Sequence, residues 1–410
     1  MSSNIRKAWQ VMAKPIGPVC NLDCEYCYYL EKKNLYPDQT DFRMPEAALE
    51  RFIESYIRSQ DIPVVTFVWQ GGEPTLLGVD YFRNIIKLQK KYAGGREICN
   101  SLQTNGILLN DEWGEFLAEN HFLVGISIDG DKKLHDAYRR DRGRQPSFDR
   151  VMRGVEILKK HSVEFNTLTV VNRKNSFHGV RVYDFLKNIG SQHIQFIPIV
   201  ERLPDEAARK WNLELAAPPD LRDKNPEDCP VTSWSVTPRQ YGVFLWSVFS
   251  EWVKNDVSKV FVYTFEEALA SWCGMEPALC VFNKTCGKAL VIEHNGDVYS
   301  CDHYVYPAYK LGNIMEQPLS KMATSAKQQA FGNDKFDCLP KYCLECEYFF
   351  ACRGECPRYR FLKTPDGEPG LNYLCEGYKY FFRNVDPYMK KMAALLKEGK
   401  SPALIMEKGN

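Results

Sequence analysis

The chain has 410 residues, 44% of them hydrophobic and 26% charged, with a formal charge of +1. That is enough chain for two or three domains around a sizeable core, and the even charge excludes broad electrostatic binding to nucleic acid. Residues Met1 to Gln10 lack the apolar core of a signal peptide and no uninterrupted run is long enough to cross a bilayer, so no membrane partner and a cytoplasmic location are expected.

Cysteine usage narrows the chemistry. Fifteen cysteines in 410 residues is about 4%, below the roughly 8 to 10% of a short secreted disulfide scaffold. Most are clustered, and in a reducing compartment clustered thiols point to metal or cluster ligation.

Taken from the N-terminus, the segment Val11 to Val19 leads into Cys20-Asn-Leu-Asp-Cys24-Glu-Tyr-Cys27. Three thiolates in the spacing C-x3-C-x2-C suit three corners of a 4Fe-4S cube, leaving one iron open to a ligand. A partial zinc site is the alternative that spacing leaves standing. Tyr28, Tyr29 and Leu30 follow as apolar shielding.

Met44 to Gln60 reads as an amphipathic helix with Pro45 in its first turn, followed by a buried strand over Val64 to Trp69. The alternation continues through a helix at Tyr81 to Lys91, a strand at Ile98 to Gln103, a helix at Trp113 to Glu119 and a strand at Leu123 to Ile128. It then runs through a helix at Phe148 to His161, a strand at Glu164 to Val171, a helix at Tyr183 to Asn188 and a strand at His193 to Val200. About six βα units before residue 200 imply a parallel sheet with right-handed crossovers, consistent with an open (β/α) barrel whose chemistry lies at the C-terminal strand ends. Gln70 to Pro74, Thr104 to Gly106 and Ser127 to Gly130 fall at those ends. The paired Gly71 and Gly72 permit close backbone approach to a ligand, whereas Asn105-Gly106 and Asp129-Gly130 serve equally as ordinary turns.

From Glu201 to Pro238 six prolines, Pro226 among them, interrupt a charged passage read as a linker or a substrate-facing insertion. Tyr241 to Val253 is a core helix. In the C-terminal half, Val291 to Ser300 predicts a hairpin turning at Asn295-Gly296, bringing Cys301 back beside Cys280 and Cys286. Cys343, Cys346, Cys352, Cys356 and Cys375 complete eight thiols, two sets of four, for which spacing alone leaves zinc open. Cys99 is expected in the core of a strand, and Cys229, Cys273 and Cys338 as incidental thiols, with Cys273 the strongest exception. Tyr378 to Leu396 reads as a helix and Lys397 to Asn410 as a loose tail.

The cysteine loop, together with Trp69-Gln-Gly-Gly-Glu-Pro-Thr-Leu76, Ser101-Leu-Gln-Thr-Asn-Gly106, Phe122-Leu-Val-Gly-Ile-Ser-Ile-Asp-Gly130 and Gly296-Asp-Val-Tyr-Ser-Cys-Asp302, resembles the radical S-adenosylmethionine (SAM) enzymes with a SPASM extension. Within these it is most similar to the anaerobic sulfatase-maturating enzymes, over about Val11 to Tyr388. The resemblance implies an α/β fold, a partial (β/α)6 radical SAM barrel followed by a cysteine-rich SPASM domain with two auxiliary clusters. The corresponding division is 1–238 with the linker 201–238, then 239–388, then a helix end and tail at 389–410. It implies SAM and three 4Fe-4S clusters as cofactors: Cys20, Cys24 and Cys27 for the SAM-binding cluster, Cys280, Cys286, Cys301 and Cys356 for the first auxiliary cluster, and Cys343, Cys346, Cys352 and Cys375 for the second.

The implied reaction is oxidation of a cysteine or serine in a sulfatase Cys/Ser-x-Pro-x-Arg motif to formylglycine, through a 5′-deoxyadenosyl radical that removes a β-hydrogen. Asp302 corresponds to the proton acceptor. The backbone of Gly71, Gly72, Glu73 and Pro74 would meet the SAM amino group, Gln70 and Ser127 would contact the cofactor, Tyr29 would lie against its adenine and Arg153 would meet its carboxylate. The expected partners are the sulfatase polypeptide and a reduced flavodoxin- or ferredoxin-type electron donor, with a monomeric enzyme.

Two other readings compete. A SPASM maturase that forms thioether or carbon-carbon crosslinks often carries an N-terminal peptide-binding domain, for which the nineteen residues before Cys20 leave no room. A zinc-stabilised scaffold without catalytic function would be colourless and free of iron and sulfide.

Overall fold

The computed structural model describes residues 9–223 and 228–407, so 1–8, Pro226 of the linker and the last three residues of the expected tail lie outside the described residues. Ten strands form one open sheet in the order β10-β9-β8-β1-β2-β3-β4-β5-β6-β7. In chain order these are β1 (Gln10–Lys14), β2 (Val64–Trp69), β3 (Glu97–Thr104), β4 (Leu123–Ser127), β5 (Phe165–Val171), β6 (His193–Pro198), β7 (Phe261–Val262), β8 (Ala289–Glu293), β9 (Asp297–Tyr299) and β10 (Lys310–Asn313). Neighbours from β8 through β1 to β7 pair in parallel, and β9 and β10 are added antiparallel.

The helices α1 (Glu46–Arg58), α2 (Val79–Tyr92), α3 (Asp111–Glu119), α4 (Lys132–His135), α5 (Phe148–Lys160) and α6 (Gly179–Asn188) connect β1 to β6. The six expected βα units are therefore present, with β1 as a strand where the sequence offered only the entry to the cysteine loop. Its apolar run, Val11 to Ala13, is too short to show a strand period. Aromatic side chains lock the helical layer to the sheet: Phe52 and Tyr56 of α1 pack on Phe67 at 5.8 and 5.0 Å between ring centroids, and Trp69 meets Phe82 of α2 at 6.2 Å. Full burial of each such ring stabilises by about 1.5–3 kcal/mol.

The C-terminal half completes the sheet at both edges rather than standing apart. β7 extends β6, while β8 pairs with β1 over five residues, setting Lys14 opposite Glu293. One hydrophobic cluster runs from Val11 to Met392, so the expected boundary at 238/239 falls inside a continuous core. The predicted hairpin is β8–β9, with Gly296 at φ +85°, the left-handed conformation its turn needs. Helix Pro238–Asn255 opens on a capping box of Thr237 and Gln240 and crosses helix Cys375–Lys397. They cross where Gly242 meets Gly377: a Cβ on Gly242 would lie 2.4 Å from the Gly377 carbonyl oxygen.

Two irregular segments are better ordered than their composition implies. The linker is pinned at its base by Leu203 N–H donating to Pro230 and Thr232 N–H to Glu201, closing it into a loop. Beyond Lys397 the expected loose tail forms a turn, Pro402–Met406, whose Ala403, Ile405 and Met406 pack on the core. Helices Tyr263–Trp272 and Ala326–Asp337 appear where none was expected.

Candidate active site and cluster ligands

None of the fifteen cysteines forms a disulfide. Cys20, Cys24 and Cys27 share one loop, tied to the segment after β4 by Asp23 N–H donating to Arg140 O (2.8 Å) and Glu25 N–H to Tyr138 O (3.1 Å). Burial pushes all three thiols up, Cys20 to about 12, and repulsion from the neighbouring thiols adds to it at Cys20 and Cys24. Thiolates persist in such a place when a metal's charge compensates them, so the donor set fits a cluster. Among the described residues no three His, Cys, Asp or Glu side chains converge as a single-ion site does; a cube takes each thiolate on a separate iron.

A charged residue that sequence reading missed lies beside this loop. Arg139 is buried, its charge acts on Cys20 and Cys24, and it pairs with Asp129 at 3.3 Å. Asp129, at the end of β4, also accepts from the Tyr26 hydroxyl and, at 3.0 Å, from the Val170 N–H. The turn reading of Asp129-Gly130 was therefore incomplete. The signal available was an acid at a strand end followed ten residues later by the first of two consecutive arginines.

The glycine-rich end of β2 braces the cysteine loop. Gly72 N–H donates to Gly17 O (2.8 Å) and Glu73 N–H to Val19 O (2.9 Å). A Cβ on Gly72 would lie 1.9 Å from the Val19 oxygen, so the bare glycine is required by the protein's own backbone one residue before Cys20. Gly71 holds φ +138°. The Glu73 carboxylate is spent internally: it accepts from Thr75 N–H and hydroxyl (3.1 and 2.6 Å), the Thr104 hydroxyl (2.6 Å) and Asn105 N–H (2.7 Å). It thereby joins the ends of β2 and β3, and Pro74 opens the following turn. Asn105 in turn donates to Asn21 (2.7 Å), beside Cys20, which gives Asn105-Gly106 a positioning role.

Gly72→Ala is expected to force Val19 and the adjoining Cys20 apart from β2, an overpacking cost of about 1–3 kcal/mol. A lower unfolding midpoint and weaker SAM binding in the anaerobic holoenzyme would show it; unchanged values of both would refute it.

Of the other expected cofactor contacts, Gln70 is anchored through N–H to Ala13 O (2.9 Å), and its Oε1 is buried without a partner, the kind of orphaned acceptor that a bound ligand satisfies. Ser127 ends β4 and accepts from Gln103 Nε2 at 2.9 Å. Two further expected contacts have other partners in the fold. Tyr29 donates to both Glu293 oxygens at 2.8 Å, and its ring lies 3.5 Å from the Lys14 ammonium, so its hydroxyl and one ring face are taken up by β8 and β1. Arg153 stands on the exposed face of α5, whose buried side is Val151, Gly154, Val155 and Leu158; the buried cation near the loop is Arg139.

Asp302 is brought to the cysteine loop from the far side. It accepts from the Tyr28 hydroxyl at 2.7 Å and pairs with the buried Lys14 of β1. Burial alone would raise its pKa, but Lys14, His303 and the hydrogen bonds from Lys14 and Tyr28 bring it down to about 2. Next to it, burial and the Arg358 cation push His303 down to about 3, so its ring is neutral. Arg358 contacts His303 Nδ1 and pairs with Glu201. Tyr28, His303, Arg358 and Glu201 line a narrow cavity together with Ala216 and Pro218 of the linker. A wider cleft, bordered by Trp272, Met275 and Phe350, lies elsewhere and includes neither Tyr28 nor Asp302.

The eight C-terminal thiols fall into two groups by proximity of charge. Cys280 acts on Cys286, Cys301 and Cys356, while Cys343 is coupled to Cys346, Cys352 and Cys375. The second four line one narrow apolar cavity with Tyr342 and Phe382. Four thiols on one cavity fit a cluster as donor set and as space. Cys273, Cys99 and Cys338 remain outside both groups. Cys99 lies on β3 but is only half-buried, beside Glu97.

Comparison with known proteins agrees with this arrangement. A family model described as the radical SAM superfamily matches residues 15–186, and one described as an iron-sulfur cluster-binding domain matches 280–347. The chain is 49% identical to a serine-type anaerobic sulfatase-maturating enzyme of Bacteroides thetaiotaomicron, over 98% of this chain and 95% of the relative. It is 32% identical to a cysteine-type anaerobic sulfatase-maturating enzyme of Clostridium perfringens, over 94% of this chain and 99% of the relative. The solved structure of native anSMEcpe with bound AdoMet and a Cp18Cys peptide superposes with a TM-score of 0.80 at 31% identity, covering 94% of this chain and 99% of that one.

Proposed function

The chain belongs to the anaerobic sulfatase-maturating enzymes, and from that premise we propose how its residues oxidise a cysteine or serine of a sulfatase Cys/Ser-x-Pro-x-Arg motif to formylglycine. It is a radical SAM oxidoreductase whose cofactors are SAM and iron-sulfur clusters. Cys20, Cys24 and Cys27 would hold the SAM-binding cluster, Cys280, Cys286, Cys301 and Cys356 the first auxiliary cluster, and Cys343, Cys346, Cys352 and Cys375 the second. Gln70 Oε1 and the strand-end carbonyls at Gly71 and Gly72 would face SAM. When bound, SAM and its cluster supply the power to take a hydrogen atom from the substrate β-carbon, which no side chain here possesses.

The chain's own residues do the rest. Conversion of the target to an aldehyde, or to a thioaldehyde for cysteine, also requires loss of one electron and of the thiol or hydroxyl proton; water then replaces the thioaldehyde sulfur, which leaves as hydrogen sulfide. Asp302 is ionised at neutral pH and would accept that proton at a carboxylate oxygen. Tyr28 and Lys14 fix its orientation, and its burial keeps bulk water from competing. The observation that carries this reading is the Tyr28–Asp302–Lys14 array, which joins the residue after Cys27, β1 and the residue after Cys301 in one buried contact.

The sulfatase polypeptide is the proposed partner, with a reduced flavodoxin- or ferredoxin-type protein as electron donor and a monomeric enzyme in the cytoplasm. Among the described residues no helix is long and apolar enough to cross a membrane. Incubation of the reduced holoenzyme with SAM and a Cys-x-Pro-x-Arg or Ser-x-Pro-x-Arg peptide should yield the aldehyde, detected by mass spectrometry after hydrazine capture. SAM cleavage that leaves both peptides without an aldehyde would favour the crosslinking maturases.

A further inference from the structure

Two buried cations stand among the C-terminal thiols without a carboxylate ion pair among the described residues. Lys335, fully buried on helix Ala326–Asp337, donates from Nζ to the carbonyls of Cys280 (2.7 Å), Val281 (2.8 Å) and Asn283. Three carbonyl acceptors around Nζ match the three protons of an ammonium, which is the form the geometry is built for. Arg360, 2% exposed, donates from Nε to Gly354 O (2.9 Å), from Nη1 to Lys335 O (2.5 Å) and from Nη2 to the carbonyls of Arg353 and Glu355 (3.3 Å each).

Main-chain carbonyls hold both groups in place without neutralising them. Their charge reaches the thiols: Lys335 acts on Cys280, Cys286 and Cys356, Arg360 on Cys343, Cys352 and Cys356. The buried acid here, Glu355, is held by Asn372 at 2.9 Å and lies near both cations. One buried carboxylate against two buried cations leaves positive charge uncompensated, at a cost of several kcal/mol per ion, and a thiolate-bound iron-sulfur cluster, a net anion, is a counter-charge that offsets such a cost. Reduction adds one more negative charge to a cluster, so a fixed cation beside it favours the reduced form.

We infer that Lys335 and Arg360 are positioning residues that raise the reduction potentials of the two C-terminal clusters, Lys335 acting on the set of Cys280, Cys286, Cys301 and Cys356, and Arg360 on both. The inference rests on the assignment of those thiols as cluster ligands. It concerns which clusters take up electrons during turnover and is independent of how SAM is bound.

The test is a redox titration of the anaerobic holoenzyme followed by electron paramagnetic resonance, with iron and sulfide determined on the same samples. Lys335→Met should lower the midpoint of one auxiliary signal by about tenfold in the reduction equilibrium, about 59 mV for one electron, with iron retained and the SAM-cluster signal unmoved. Lys335→Arg should keep the midpoint near that of the unaltered protein. Arg360→Gln should lower both auxiliary midpoints, which keeps the inference testable should Lys335→Met shed its cluster. Midpoints unmoved at full iron content would overturn it, as would an equal fall in Lys335→Met and Lys335→Arg, or loss of iron in both, which would make the lysine a structural tie. Fewer than three clusters in the unaltered protein would instead overturn the ligand assignment, before any variant is read.

Discussion

Cys24→Ala abolishes reductive SAM cleavage and formylglycine formation together, reducing both to background, and removes one cluster's iron while leaving the rest. Cys24 is one of three thiols in its loop and is packed against Tyr26, Tyr138 and Ile199, and the nearby Asp129 carboxylate is already held by Arg139, Tyr26 and Val170. Two thiolates do not hold a cube against loss of its iron. The eight C-terminal thiols belong to separate groups, so their clusters should persist. Iron and sulfide analysis, the visible absorption band and product chromatography check each part. Cys99→Ser, on β3 and outside every thiol group, should change none of these quantities. Persistent SAM cleavage in Cys24→Ala, or equal iron loss in Cys99→Ser, would contradict the assignment.

The cysteine loop, five of the six barrel strands and the β8–β9 hairpin were legible because each depends on local sequence: thiol spacing, runs of β-branched residues and an Asn-Gly turn. The parts that were not legible depend on long-range encounters. β1 has too few apolar residues to declare itself, yet it lies at the centre of the sheet because β8 returns to pair with it. Helix Ala326–Asp337 carries glutamines and an asparagine where an apolar stripe would be expected, and it is held by Gln328 donating to Gly287 O and Ser300 O and by Lys335. The surroundings of Tyr29 and Arg153 were not legible for related reasons. A tyrosine beside a cofactor loop and an arginine on a helix each suit several environments, and the β1–β8 register and the outward face of α5 decide between them. Arg139 was missed because a buried arginine is recognised by its partner, Asp129, ten residues away in sequence.

Asp302→Asn should leave SAM cleavage near the level of the unaltered enzyme while formylglycine falls by about 10²–10⁴, the range over which a positioned base contributes. Asparagine keeps the volume and still accepts from Tyr28, but it takes up no proton, so hydrogen abstraction and product formation become uncoupled. Lys14→Met tests the same site from the other side. In the unaltered protein the carboxyl is held at about 2, so Asp302 remains an ionised acceptor throughout the workable pH range and imposes no acidic limb on the rate. Without the ammonium, burial acts on the carboxyl unopposed by its strongest cation, and the pKa rises. The acceptor form is then lost as pH falls through that raised value, and an acidic limb moves toward neutrality in the profile of formylglycine formation but not of SAM cleavage. An Asp302→Asn variant that loses both activities equally, or a Lys14→Met profile as flat as that of the unaltered enzyme, would show that the proton leaves by another route.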